Sequence, residues 1–241
     1  MNGTEIMGTE RSNQDIFVIT APSGTGKTTL NRRLIKDPGG IEISISLTTR
    51  ARRKGEAHGD HYWFTDEEAF KQEVEKGDML EWANVFGNLY GTSMKEISRI
   101  REKQHKIILE IDVQGWKQAK EKLPGAVSIF ILPPSLETLW KRLTGRASDR
   151  EEDQWRRIRT AREELDHAQD YQYFVVNDDL ESAFGELKSI LSGAPANSLS
   201  REQGLRHCQN LIDEWQNNPV FTELRETFRP DRGVRRGQKK A

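Results

Sequence analysis

Cysteine is almost missing from this chain. Cys208 stands alone among 241 residues, so no disulfide can form within the chain, and the composition suits a reducing cytoplasm. Long apolar runs are absent as well, and nothing approaches the ~20 residues that a membrane-spanning helix requires. Charge of either sign is not in surplus. The formal net charge is −1, which removes any bulk electrostatic case for nucleic acid or an anionic membrane as partner. The five histidines show no metal-ligand spacing, and His58 and His61, with no third ligand nearby, read as loop residues. Residues 1–15 lack an apolar segment and are expected to form a disordered leader rather than a signal peptide or anchor. No internal repeat is visible.

What the chain has is enough length for one large domain with subdomains, at 34% apolar and 31% charged residues, typical of a protein with a well-solvated surface. Its organising stretch is the apolar run Ile16-Phe17-Val18-Ile19, followed by Ala21-Pro22-Ser23-Gly24-Thr25-Gly26-Lys27-Thr28-Thr29. A buried strand, a glycine turn and then Lys-Thr opening an amphipathic helix is the layout of a phosphate-binding loop. Gly24 and Gly26 can take positive φ and bring backbone N–H groups against phosphate oxygens. The helix points its positive end at the same anion. Lys27 supplies an ammonium, and Thr28 an oxygen for Mg²⁺. Ala21 occupies the first glycine position of the usual pattern, where the chain only leads into the turn.

Along the chain, residues 27–36 read as a helix stopped at Asp37-Pro38-Gly39-Gly40. Residues 41–47 alternate strictly and predict one strand with a wet face carrying Ser44 and Ser46. A basic loop, Arg50 to Lys54, follows. Helices are expected over 66–76, 94–103, 115–122, 135–143, 151–168 and 179–191, and strands over 107–112, 126–132 and 173–176. Strands alternating with helices predict an α/β fold with a parallel sheet covered on both faces. Glu110 and Asp112, placed two apart on the strand 107–112, would face one side, and Asp112 at its carboxyl end is the candidate for the Mg²⁺ surroundings.

A phosphate loop alone does not separate a GTPase, an ATPase and a small-molecule kinase. The guanine-reading N-K-x-D element of GTPases has no counterpart, since Val176-Asn177-Asp178-Asp179 does not fit it. The decisive blocks are Ser46-Leu47-Thr48-Thr49-Arg50, Gly55-Glu56, Gly59-Asp60-His61-Tyr62, Leu80-Glu81-Trp82-Ala83, Gly87 to Thr92, Glu110 to Gly115, Pro133-Pro134-Ser135, Gly145-Arg146 and Val176 to Leu180. Over about residues 16–192 the chain resembles guanylate kinase in these blocks. The resemblance implies a phosphate-loop nucleoside-monophosphate kinase with a core, a GMP-binding insert at about 44–97 and a lid near 142–157. It would use ATP and Mg²⁺ to convert GMP to GDP, with dGMP left open as a second acceptor.

The same resemblance places the GMP phosphate against Arg50, Arg53, Tyr62 and Tyr90, and guanine against Glu81, Ser46 and Thr92, with Glu110 on the GMP side. A carboxylate offers two acceptors to the N1–H and N2–H donors of guanine, and adenine lacks that pair. Arg142, Arg146 and Arg157 match the lid arginines, and Asn177 a position near the adenine side. Two departures, Leu47 for a polar residue and Leu89 for an aromatic one, sit beside matched residues. Two rival readings exist. A kinase for another small phosphorylated acceptor would have no need of a guanine-reading Glu81. A non-catalytic peptide-binding module would be expected to have a damaged phosphate loop, whereas Lys27, Thr28, Arg50 and Asp112 are all present.

Residues 193–241 lie beyond the resemblance. Residues 193–198 read as a linker, Ser200 as an N-cap, and Leu205, Cys208, Leu211, Ile212 and Trp215 as a helix face ending at Pro219. Phe221, Leu224 and Phe228 form a second short face. The helix is expected to pack on the core or on a second copy, leaving a monomer or a homodimer. From Arg229 onward six Lys/Arg residues predict a disordered basic end, the one place where an anionic partner such as nucleic acid could bind.

Overall fold

The computed structural model describes residues 13–37, 39–145, 150–195 and 198–228. Its centre is a five-stranded parallel sheet in the order β2 (Ile41–Ile43), β7 (Lys106–Leu109), β1 (Ile16–Thr20), β8 (Val127–Leu132), β9 (Tyr173–Val176). Period-two patterning explains how both faces of this sheet are buried. Ile16 and Val18, Ile107 and Leu109, and Phe130 and Leu132 enter one core, while Phe17 and Ile19, Ile108, and Ile129 and Ile131 enter the other. Helices α1 (Lys27–Leu34) and α7 (Leu180–Ser192) close the second face through Leu30, Leu34, Ala183 and Leu187. On the first face lie α3 (Met94–Glu102), α4 (Val113–Ala119), α5 (Leu136–Thr144) and α6 (Glu151–Leu165). Chain order reverses about central β1, so the loop leaving β1 opens into the crevice where such sheets bind ligands.

The alternating run 41–47 is not one strand. β2 ends at Ile43 on the parallel sheet, and β3 (Leu47–Thr48) belongs to a second sheet of order β4 (Trp63–Phe64), β3, β6 (Asn88–Ser93), β5 (Met79–Val85). Alternation fixes which residues are wet but not which sheet they join. Ser44, Ile45 and Ser46 therefore bridge core and insert. With α2 (Glu67–Glu75), which Asp66 caps through Ala69 N–H, the second sheet builds the insert.

Residues Asn13–Asp15, included in the polar leader by composition, form a 3-10 turn fixed by Asn13 on Pro124 O (2.9 Å) and Asp15 on Arg101 (3.0 Å). Residues 1–12 lie outside the described residues, as does the basic end from Arg229.

Beyond the linker, α8 (Arg201–Asn217) starts at a capping box of Ser200 and Gln203. Pro219 stops α8 and also opens α9 (Pro219–Thr227) as its first residue, a position where its missing N–H costs nothing. Cys208, Leu211, Trp215 and Phe221 join the core. Gly204 lies so close to the Phe174 ring that a Cβ would collide with it. α8 also supports α5 and α6. Glu214 accepts from the N–H groups of Leu136 (2.7 Å) and Glu137 (2.8 Å) at the start of α5. Trp155, in the first turns of α6, stacks on Trp215 (5.4 Å) and on Phe228 (5.6 Å). Among the described residues no helix is long and apolar enough to cross a membrane.

Candidate active site

The turn after β1 takes the conformation its glycines allow. Gly24 has φ +91° and Gly26 φ +104°, and Gly26 is the N-cap of α1 with no side chain to satisfy the helix's first N–H groups. Those donors and the positive end of α1 face the crevice beside Lys27 and the exposed Thr28. Three neighbours hold the loop. Leu143 of α5 packs where a Gly24 Cβ would stand, at 2.7 Å. Arg157 of α6 donates to Ser23 Oγ from Nε (3.0 Å) and Nη2 (2.9 Å). Asn177, 5% exposed, donates from Nδ2 to Thr25 O at 2.6 Å. Asn177 thus sits behind the loop with its amide engaged by the backbone. The backbone carbonyl of Asn177 in turn accepts from Arg142 Nη1 at 2.9 Å. Arg146 lies outside the described residues.

The register of the second sheet lines up the residues proposed for the base. Thr92 pairs with Glu81 across β5 and β6, and Leu47 pairs with Gly91 across β3 and β6. One step along the same antiparallel ladder sets Ser46 beside Thr92. Ser46, Thr92 and Glu81 form a row across the insert. Glu81 is 8% exposed, and burial first of all, with the negative field of Asp112 added, raises its carboxyl above the usual range. Gly115 opens the space between the two acids: a Cβ there would lie 3.2 Å from Glu81 Oε2 and 3.5 Å from Asp112 Oδ1.

The neighbouring row brings Tyr90 next to Thr48. Tyr62 and Tyr90 meet edge to face at 5.9 Å, and the Arg50 guanidinium lies 5.4 Å from the Tyr62 ring centroid. Glu56 organises this corner. It pairs with Arg50 Nη2 at 2.7 Å and accepts from Arg53 N–H at 2.8 Å. Arg50, first among its partners, draws the Glu56 carboxyl below the usual range. The Arg53 side chain is exposed. A groove of about 790 Å³ runs from Thr28 and Asn31 past Ser44 and Ser46 to Tyr62 and Glu110.

The strand 107–112 is shorter than its spacing predicts. β7 stops at Leu109, so Glu110 and Asp112 do not share a strand face. Glu110 turns to α1 and accepts from Asn31 Nδ2 at 2.6 Å. Asp112 becomes the N-cap of α4, with Oδ1 accepting from Gln114 N–H (3.0 Å) and Gly115 N–H (2.8 Å). Asp is a favoured N-cap residue, but the apolar run before it concealed that signal. Sequence reasoning also missed Glu164. The predicted helix 151–168 consists largely of charged residues with nothing to mark Glu164 among them, yet Glu164 Oε2 is buried. Burial first, then Asp112, pushes its carboxyl up to about 7, while Lys27 pulls it down.

Most of the chain is similar to known proteins. A family model described as guanylate kinase matches residues 13–194. The chain is similar to the guanylate kinase of Chromobacterium violaceum, with 46% identity over 202 residues, 83% of this chain and 92% of the relative. It is also similar to that of Pseudomonas syringae pv. tomato, with 42% identity over 219 residues, 88% of this chain and 98% of the relative. The crystal structure of guanylate kinase from Anaplasma phagocytophilum superposes with a TM-score of 0.57 at 33% identity, covering 84% of this chain and 94% of that one.

Proposed function

From the premise that the chain belongs to the guanylate kinase family, we propose how its own residues carry out the family's reaction. The protein is an ATP:GMP phosphotransferase, a phosphate-loop kinase that moves the γ-phosphoryl of ATP to GMP and yields ADP and GDP. The work is positioning and neutralisation of charge, with no covalent intermediate required.

ATP phosphates are received by the loop Ala21 to Thr29, whose N–H groups, helix end and Lys27 supply positive potential. Arg142, Arg146 and Arg157 act from the lid and its stalks, and the Arg157–Ser23 bond supports this by tying α6 to the loop. Asn177 acts on ATP through the loop it braces. The GMP phosphate is taken by Arg50, Arg53, Tyr62 and Tyr90, two guanidinium forks and two phenols around a dianion. Glu56 keeps Arg50 and Arg53 poised before GMP arrives. Guanine is read by Glu81 with Ser46 and Thr92, and Glu110 borders the groove on the same side.

The donor set fits Mg²⁺: Thr28 offers a hydroxyl at the head of α1, and the capping bonds of Asp112 involve only Oδ1. Thr28 and Asp112 would hold the ion together with nucleotide phosphates, a mixed arrangement that Mg²⁺ favours over an all-protein cage. Held there, the ion would supply positive charge to the phosphate oxygens. Residues 16–192 form the catalytic domain, with the insert at about 44–97 and the lid near 142–157. We place the enzyme in the cytoplasm on its cysteine content. Cys208 is buried, and that burial pushes its thiol up to about 12, out of reach of ordinary oxidation.

The row of Ser46, Thr92 and Glu81, ending on a buried carboxylate next to Asp112, carries the acceptor assignment. A coupled ADP-release assay over a panel of nucleoside monophosphates and sugar phosphates tests it. GMP should lead AMP, CMP and UMP by orders of magnitude in kcat/KM. Comparable rates with a sugar phosphate would overturn the choice of acceptor.

A further inference from the structure

One face of α6 looks onto the phosphate loop. Arg157 and Glu164 are seven residues apart, two helical turns, with the buried Ala161 between them. Arg157 reaches Ser23. Glu164, further along, lies within the electrostatic reach of both Lys27 and Asp112. Its Oε2 is buried and has no hydrogen-bond partner.

Glu96 shows what a buried carboxylate looks like when its role is structural. At 3% exposure it accepts from Ile45 N–H (3.0 Å), Trp63 Nε1 (3.0 Å) and Arg99, and its carboxyl is held below the usual range against the cost of burial. Glu164 is the opposite case. A buried acceptor with no donor costs folding free energy, and a donor carried by a ligand would relieve that cost at Glu164 Oε2. Nucleotide phosphates bring no donors and would repel the ionised carboxylate. Water molecules on a nucleotide-bound cation are donors, carry positive charge, and belong next to Lys27, Thr28 and Asp112.

We propose that Glu164 is a positioning residue for phosphoryl transfer, its buried Oε2 accepting from water that hydrates the nucleotide-bound divalent cation. This rests on the assignment of Thr28 and Asp112 to that cation. Glu164 would then act on the cation through a hydrating water, and Asp112 would help to hold it. Carboxylates acting at this remove typically change metal affinity 10–100-fold when they are lost.

The test uses the full chain with ADP and Mn²⁺, free Mn²⁺ being read by its electron paramagnetic resonance, alongside ADP binding in EDTA by calorimetry. Glu164→Gln should weaken Mn²⁺ binding to the enzyme–ADP complex about 10-fold or more and leave metal-free ADP binding unchanged or tighter. Asp112→Asn is the control for the underlying assignment and should also weaken Mn²⁺. If Asp112→Asn weakens Mn²⁺ and Glu164→Gln does not, the role of Glu164 is overturned and the cation site stands. If neither variant changes Mn²⁺ binding, the cation assignment itself fails. Equal losses in Mn²⁺ and metal-free ADP binding would make Glu164 a support of the loop, against the proposal. Should Gln disturb the fold, as read by melting, Glu164→Asp serves instead, with a smaller shift in the same direction.

Discussion

Asn177 Nδ2 donates to the carbonyl oxygen of Thr25 at 2.6 Å, and Gly26, the next residue, has no Cβ to stand in the way. The end of β9 is thereby pinned to the phosphate loop, and the loop's positive-φ glycines are fixed from behind. Asn177→Ala should cost about 1–3 kcal/mol in chemical denaturation, because Thr25 O is left buried without a donor. Gly26→Ala should lose ATP binding altogether, since the methyl would run into the Asn177 amide at φ +104°. An alanine variant of Gly26 with normal ATP affinity would show that the loop is not held in this way.

Gly115→Ala separates the two substrates. The added methyl would lie 3.2 Å from Glu81 Oε2, tighter than ordinary contact, and would push the carboxylate out of the row it shares with Thr92. KM for GMP should rise severalfold while KM for ATP changes little. Equal effects on both substrates would place Gly115 outside the base pocket.

Glu164 predicts a pH-dependent gain in stability. Its carboxyl shifts from 4.5 up to about 7 on folding, so the folded state binds the proton more tightly. Stability is then lost as pH rises from about 4.5 through about 7, on the order of 3 kcal/mol in all. Glu164→Gln removes that loss. Without nucleotide or metal, the variant should melt several degrees higher than the parent at pH 8 and close to it at pH 5. A gain of equal size at both pH values would mean that the charge is not its source.

The C-terminal helices should behave as part of the enzyme rather than as an appendage. Ending the chain at Pro195 removes Trp215 and Phe228 from Trp155, and Glu214 from the start of α5. Loss of a buried Trp alone costs about 3–5 kcal/mol, so a large fall in melting temperature and a rise in KM for ATP are expected. Ending at Phe228 should leave both unchanged. Similar melting curves for the two shortened chains would contradict the packing of α8 and α9.

The parallel sheet was legible in the sequence because four of its strands, β1, β7, β8 and β9, are largely apolar runs between helical patterns. The phosphate loop was legible because its spacing admits few other uses. What sequence could not resolve were places where one local pattern serves two structures. The run 41–47 alternates as a single strand would, yet Ser44 to Ser46 pass from one sheet to another. Asp112 follows an apolar strand and reads as its end, although it opens a helix. Glu164, in a run of charged residues, looks solvated until the packing of α6 turns it inward. The contacts of Glu56, Asn177 and Glu214 span distances in sequence or directions of side chains that no local pattern encodes.

The most direct measurement is acceptor selectivity in Glu81→Gln, because Glu81 is the residue that makes this loop kinase a guanine enzyme. One of its acceptor oxygens becomes an NH₂ facing a guanine donor, and a lost charged hydrogen bond costs about 1.5–3 kcal/mol before the donor–donor clash is added. The ratio of kcat/KM for GMP over AMP should fall at least ~10-fold, with KM for ATP nearly unchanged. An unaltered GMP-to-AMP ratio would remove Glu81 from the base pocket and contradict the assignment at its centre.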